Sequence, residues 1–144
     1  MKKPITREEA ETSLHDSDFY EWTQEVAVHL RQGRLPQADL EHIAEEISDM
    51  GKRDRRELRS RMIVLVTHLM KWAAQPGRRD KSTWRFRINE QREQVESILE
   101  DSPSLRLYLI EQIPYVYTKA AERAASETGL PWSTFHRWTS STGR

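Results

Sequence analysis

The passage "SRMIVLVTHLMKW", Ser60 to Trp72, contains the longest apolar run of the chain, Met62 to Val66, and its period decides the fold. Leu58, Met62, Leu65, Leu69 and Trp72 recur at intervals of three and four residues. That spacing keeps side chains on one face of a helix turning ~100° per residue. Followed outward, the helix extends from Lys52 to about Ala74 and is stopped by Pro76 and Gly77. The run is far shorter than the ~20 apolar residues of a membrane span, so it reads as the central helix of a folded core.

The same period governs the flanks. Phe19, Trp22, Val26 and Leu30 form a stripe that begins after "HDSD", where Asp16, Ser17 or Asp18 can accept from the first amides, and closes at Gly33. After Pro36, Leu40, Ile43, Ala44 and Ile47 form a second stripe, backed by an acidic outer side of Asp39, Glu41, Glu45, Glu46 and Asp49. Gly51 is expected to break or kink the chain, because glycine inside a helix costs ~1 kcal/mol relative to alanine. A further helix starts near Ser82 with Trp84, Ile88, Val95, Ile98 and Leu99 inward, and Ser102 with Pro103 starts the next. Pro114 predicts a kink or short break near Ile113, and Gly129 with Pro131 ends that helix. The expectation is all-α: a single-domain bundle of about five or six helices over residues 16–130. A flexible segment, 1–15, precedes it, and a tail, 131–144, is either mobile or docked on the bundle or on a second copy.

Composition narrows the function. With 144 residues and a formal net charge of zero, no whole-molecule field draws the chain to nucleic acid or lipid. The absence of cysteine removes disulfides, thiolate metal sites and cysteine nucleophiles. No apolar core follows the two lysines of "MKKPITREEAETS", which is therefore no signal peptide, and the expected location is the cytoplasm without membrane contact.

Three constellations bear on chemistry. Arg61 and His68 lie two turns apart along one line at the edge of the apolar stripe. An arginine and a histidine so spaced resemble the signature of HEPN ribonucleases, in which the pair polarises a phosphate and moves a proton without metal. Met62 departs from the polar residue usual after that arginine, and a border histidine otherwise bonds within the fold. No Glu-x-x-His occurs, the histidines are scattered, and His42 falls on the side opposite its stripe, so neither metal nor cofactor is expected. Charge, finally, comes in blocks: residues 36–50 carry five acids and no base, whereas 52–61 and 78–92 each carry six bases against two acids. In the second basic block Arg78, Arg79, Lys81 and Arg85 surround Trp84 and are candidates for binding, with Trp132 and Trp138 of the tail.

"DFYEWTQEVAVHLRQGRL" (18–35), "DLEHIAEEISDMGKRDRRELRSRM" (39–62), "HLMKW" (68–72), "INEQR" (88–92), "SPSLRLYL" (102–109) and "ETGL" (127–130) occur in this order. Together they resemble the bacterial family of domain of unknown function 29. The resemblance implies an all-helical bacterial protein with no established activity, and so no catalytic residue to carry over. The tail after "ETGL" departs from the family's proline-containing extension. The functional expectation is a non-enzymatic protein-binding or regulatory module that meets a protein partner or itself. The alternative is a metal-independent ribonuclease-like or nucleic-acid-binding protein using Arg61 and His68.

Overall fold

The computed structural model describes residues 14–136, the side chain of residue 38 excepted. Its elements are α1 (Phe19–Arg31), α2 (Gln37–Ala74), a 3-10 segment (Pro76–Lys81), α3 (Trp84–Asp101), α4 (Leu105–Thr128) and a short 3-10 segment (Trp132–Thr134). No strand occurs among the described residues, and the all-α expectation is borne out. Packing divides the chain into two compact units between Lys52 and Arg53.

In the first unit Asp18 caps α1, accepting from the Glu21 amide at 3.0 Å. Gly33 takes φ 69°, a left-handed conformation that costs glycine little, and the Arg34 amide then reaches the His29 carbonyl at 2.9 Å. Trp22 and Val26 are buried, and the Trp22 indole donates to the buried Asp39 carboxylate at 3.3 Å. The expected stripes are otherwise not buried. Phe19 and Leu30 on α1, and Leu40, Ala44 and Ile47 on α2, are exposed. The reason is a rotation of α2: Asp39, His42 and Glu46 face Trp22 and His15, which leaves the apolar stripe about 100° away round the helix.

The break expected at Gly51 does not occur, since α2 continues through it and no atom lies within 4 Å of the place its Cβ would take. One glycine's propensity deficit is outweighed by the Glu, Lys and Arg residues around it, with an i,i+3 pair from Lys52 to Asp49 at 3.4 Å.

The second unit carries the larger core. Leu58 is fully buried, and Leu65, Met70, Ile88, Val95 and Val116 are buried with it. Leu65 and Thr67 are both buried although they point about 200° apart, so α2 is packed on two sides here, while Leu69 of the expected stripe is exposed. Thr67 satisfies its hydroxyl on the Ile63 carbonyl at 2.6 Å. Ser102 ends α3 instead of opening the next helix: its amide bonds the Ile98 carbonyl at 2.9 Å, and α4 begins at Leu105. Nor does Pro114 interrupt α4, whose long flanks on either side tolerate one missing bond.

Ala120, Ala121 and Ala124 keep one side of α4 small. Gly129, at φ 71°, reverses the chain, and the segment Trp132–Thr134 then sets Phe135 among these alanines and Met70. Phe135 is 2% exposed, so the tail docks at least this far; burying a side chain of this size contributes about 2–3 kcal/mol. Trp138 lies outside the described residues.

Candidate functional site

Arg61 and His68 are each engaged by their own helix. Arg61 donates from Nε to Glu57 Oε1 at 2.9 Å and from Nη2 at 2.8 Å, one turn back. His68 Nδ1 lies 2.8 Å from the Val64 carbonyl; because a carbonyl only accepts, Nδ1 carries the proton. A neutral His68 therefore has Nε2 as its acceptor.

Two cations of the first basic block lie over aromatic faces. Arg55 lies over the ring of Tyr108 at 4.4 Å and Arg59 over Tyr115 at 5.0 Å. Tyr115 and Tyr117, two residues and so about 200° apart on the helix, face different ways, Tyr115 exposed and Tyr117 packed on the core.

The second basic block divides by task. Arg79 turns inward, donating from Nε to the Trp72 carbonyl at 2.8 Å with its guanidinium 5.1 Å from the Trp72 ring, and so braces the end of α2. Arg78 and Lys81 instead line an open cleft of about 500 Å³ with Lys71, Ser82, Thr83, Trp84, Glu127 and Thr128. Lys71 is only 8% exposed; its ammonium is ion-paired with Glu127 and stands 5.8 Å from the Trp84 ring. Burial of a lysine head is tolerated only with such a partner, a need that an apolar pattern does not reveal. Arg85 is exposed on α3 and is not part of the cleft lining. Trp132 is exposed, its ring 3.8 Å from that of His136.

The first unit holds a cluster that sequence reasoning missed. His42, expected on the outer side, stacks on His15 with ring centroids 4.2 Å apart, and His15 meets Trp22 edge-on at 4.5 Å. His15 Nε2 lies 3.1 Å from Glu46 Oε1 and Nδ1 lies 3.3 Å from Asp16 Oδ1. Carboxylates accept, so both bonds are made only by the imidazolium. Burial opposes that charge, but the bonds to Glu46 and Asp16 outweigh it and raise the His15 pKa above its ordinary 6.5. Two histidines 27 residues apart, 42 − 15, give no local signal of such a stack. Glu25 and His29, four residues apart on α1, line a crevice that at about 10 Å³ is at the lower limit for one water molecule. No three metal-ligating side chains come together among the described residues.

Apolar side chains are also exposed in rows. On α2, Ile47 is 64% and Met50 59% exposed, with Leu40 and Ala44 alongside. Beside this stripe Glu41, Glu45 and Asp49, with Ala44, Ser48 and Lys52, line a second open cleft of about 460 Å³. On α4, Leu107, Ile110 and Ile113 form another exposed row.

Fold and surfaces together define an all-helical protein with apolar and charged faces turned to solvent; no helix among the described residues is long and apolar enough to cross a membrane. The family described as domain of unknown function DUF29 matches residues 14–142, and the chain belongs to it. The match takes in the segment after "ETGL", which sequence reasoning had set apart. No curated protein and no solved structure matches the chain.

Proposed function

We propose that this chain is a non-enzymatic protein-binding module of the bacterial cytoplasm, and that the acid-bordered apolar face of α2 is its docking surface. The observation that carries the reading is the exposure of Leu40, Ala44, Ile47 and Met50 on a helix whose phase turns polar residues inward. Contacts of Asp39 and Glu46 with Trp22 and His15 hold that phase and leave the apolar side facing solvent. A helix buries its apolar side unless something else covers it, and a contiguous exposed apolar stripe with a charged rim is how docking surfaces look. Glu41 and Glu45, with Asp49 paired to Lys52, leave the rim acidic on balance and favour a partner whose matching rim is basic. The separate engagement of Arg61 and His68 supports the non-enzymatic side of the reading.

The test is capture under native salt with wild-type and Ile47→Glu baits, alongside sedimentation of the purified chain. A protein retained by wild type and lost by the variant, or self-association lost in the same way, is expected. Identical retained sets with both baits and monomeric sedimentation of both chains refute the reading. Cleavage of RNA by wild type but not by His68→Ala refutes it in favour of a nuclease.

A further inference from the structure

The cleft at the start of α3 has no place in protein docking through α2, and its lining has a chemistry of its own. Three cations reach it, Lys71, Arg78 and Lys81, against one carboxylate, Glu127, already held by Lys71. Neither Arg78 nor Lys81 has an ion-pair partner among the described residues, and Asp80, between them in the chain, is not part of the lining. A surface arginine and lysine alone signify nothing; here they border a concave space of about 500 Å³, within the range that encloses a small organic molecule. Trp84 supplies an apolar wall, and Ser82, Thr83 and Thr128 bring hydroxyls.

The backbone adds to this potential. α3 has 18 residues, no acid in its first turn and no side-chain cap from Thr83; its Trp84 amide reaches Ser82 Oγ at 3.5 Å and its Arg87 amide the Thr83 carbonyl at 3.0 Å, which leaves the Arg85 and Phe86 amides for an acceptor from outside the helix. Arg85 and Arg87 in that turn raise the positive potential further.

We propose that this cleft binds a phosphate monoester, Arg78 and Lys81 holding the phosphoryl oxygens beside the first turn of α3 and Trp84 packing against the organic group. A guanidinium and an ammonium together neutralise a dianion, and a planar guanidinium matches two phosphoryl oxygens at once. A carboxylate ligand would leave one of the two cations uncompensated. The buried Lys71 stays with Glu127 and shapes the floor.

The experiment is a titration of the isotopically labelled full chain, followed by backbone amide and indole resonances, with inorganic phosphate and with phenyl phosphate. It is run at about pH 8, where the phosphoryl group is dianionic, against chloride at matched ionic strength. Saturable shifts at Trp84, Arg85 and Phe86 are expected with both phosphates and not with chloride, and phenyl phosphate binds more tightly because its ring meets Trp84. Arg78→Ser with Lys81→Ser, both at exposed positions, weakens binding at least roughly tenfold while the remaining resonances stay in place. Equal shifts with chloride, or a double variant that binds like wild type, overturns the site. Phosphate and phenyl phosphate binding equally overturns the monoester in favour of a simple anion. None of these outcomes depends on the α2 face.

Discussion

Replacing Glu127 by Gln leaves the Lys71 ammonium inside the second unit without its counter-charge. Two limits bound the cost. Removing one member of a fully buried pair costs about 3–5 kcal/mol, whereas an exposed pair is worth about 0–1 kcal/mol. Lys71 belongs to the first case, with a side chain 10% exposed, and Glu127 stands nearer the second at 46%. Water reaching the carboxylate side relieves part of the stranded charge, so Glu127→Gln should cost about 2 kcal/mol. In a chain of this size that lowers the melting temperature by roughly 5–8 °C. Lys71→Met removes the charge and keeps the stem's packing, so it should be near neutral, and the double variant should match Lys71→Met, not the sum of the two. Glu122→Gln is the control: Lys119 and Glu122 pair at 3.2 Å with both side chains about half exposed, and its loss should cost less than about 0.5 kcal/mol. Urea unfolding of the four variants and wild type, read by tryptophan fluorescence, measures the coupling. A Glu127→Gln loss no larger than the Glu122→Gln loss would refute the claim that Lys71 depends on Glu127.

Other expectations follow from single contacts. Gly51→Ala should stabilise the protein by about 0.5–1 kcal/mol in thermal or urea unfolding, because Gly51 is helical and a methyl meets nothing within 4 Å; destabilisation would show that α2 breaks there. Phe135→Ala should cost about 3–4 kcal/mol by opening a cavity against Ala120, Ala121 and Ala124, and a loss under 1 kcal/mol in the same assay would place the tail off the core. His15 has a folded pKa raised above 6.5, so its contribution is complete below that value and is lost as pH rises through the raised one. Melting temperature followed from pH 5 to pH 9 should therefore fall more steeply in wild type than in His15→Gln, and parallel curves would exclude the Glu46 and Asp16 bonds as its cause.

The helices were legible wherever burial and period agree. Leu58 and Leu65 recur at seven residues and are buried, and Asp18 and Gly33 mark the ends of α1 by local chemistry alone. No break follows at Gly51 or Pro114, because propensity is local, whereas a long helix packed along its length carries a weak residue through. The α2 stripe is more informative: period shows which side is apolar but not what covers it, and here Asp39, His42 and Glu46 take the inward place through specific bonds to Trp22 and His15. Of the candidate site, the basic block around Trp84 was visible as composition. Its division was not, because only the fold decides that Arg79 braces Trp72 while Arg78 and Lys81 line the cleft. The partner of Lys71 lies 56 positions on, 127 − 71, beyond any local pattern.

Docking through α2 is tested most directly by the affinity of a captured partner, or of a second copy, for three forms of the chain: wild type, Leu40→Glu with Ile47→Glu, and Leu107→Glu with Ile110→Glu. All four positions are exposed, so the variants should keep the wild-type fold and melting temperature within about 2 °C. Two carboxylates set into the apolar stripe of α2 should weaken binding by roughly a hundredfold or more, and the same change on α4 should leave it within about threefold. Undiminished binding by the α2 variant, or a loss confined to the α4 variant, would contradict the assignment of α2 as the docking face.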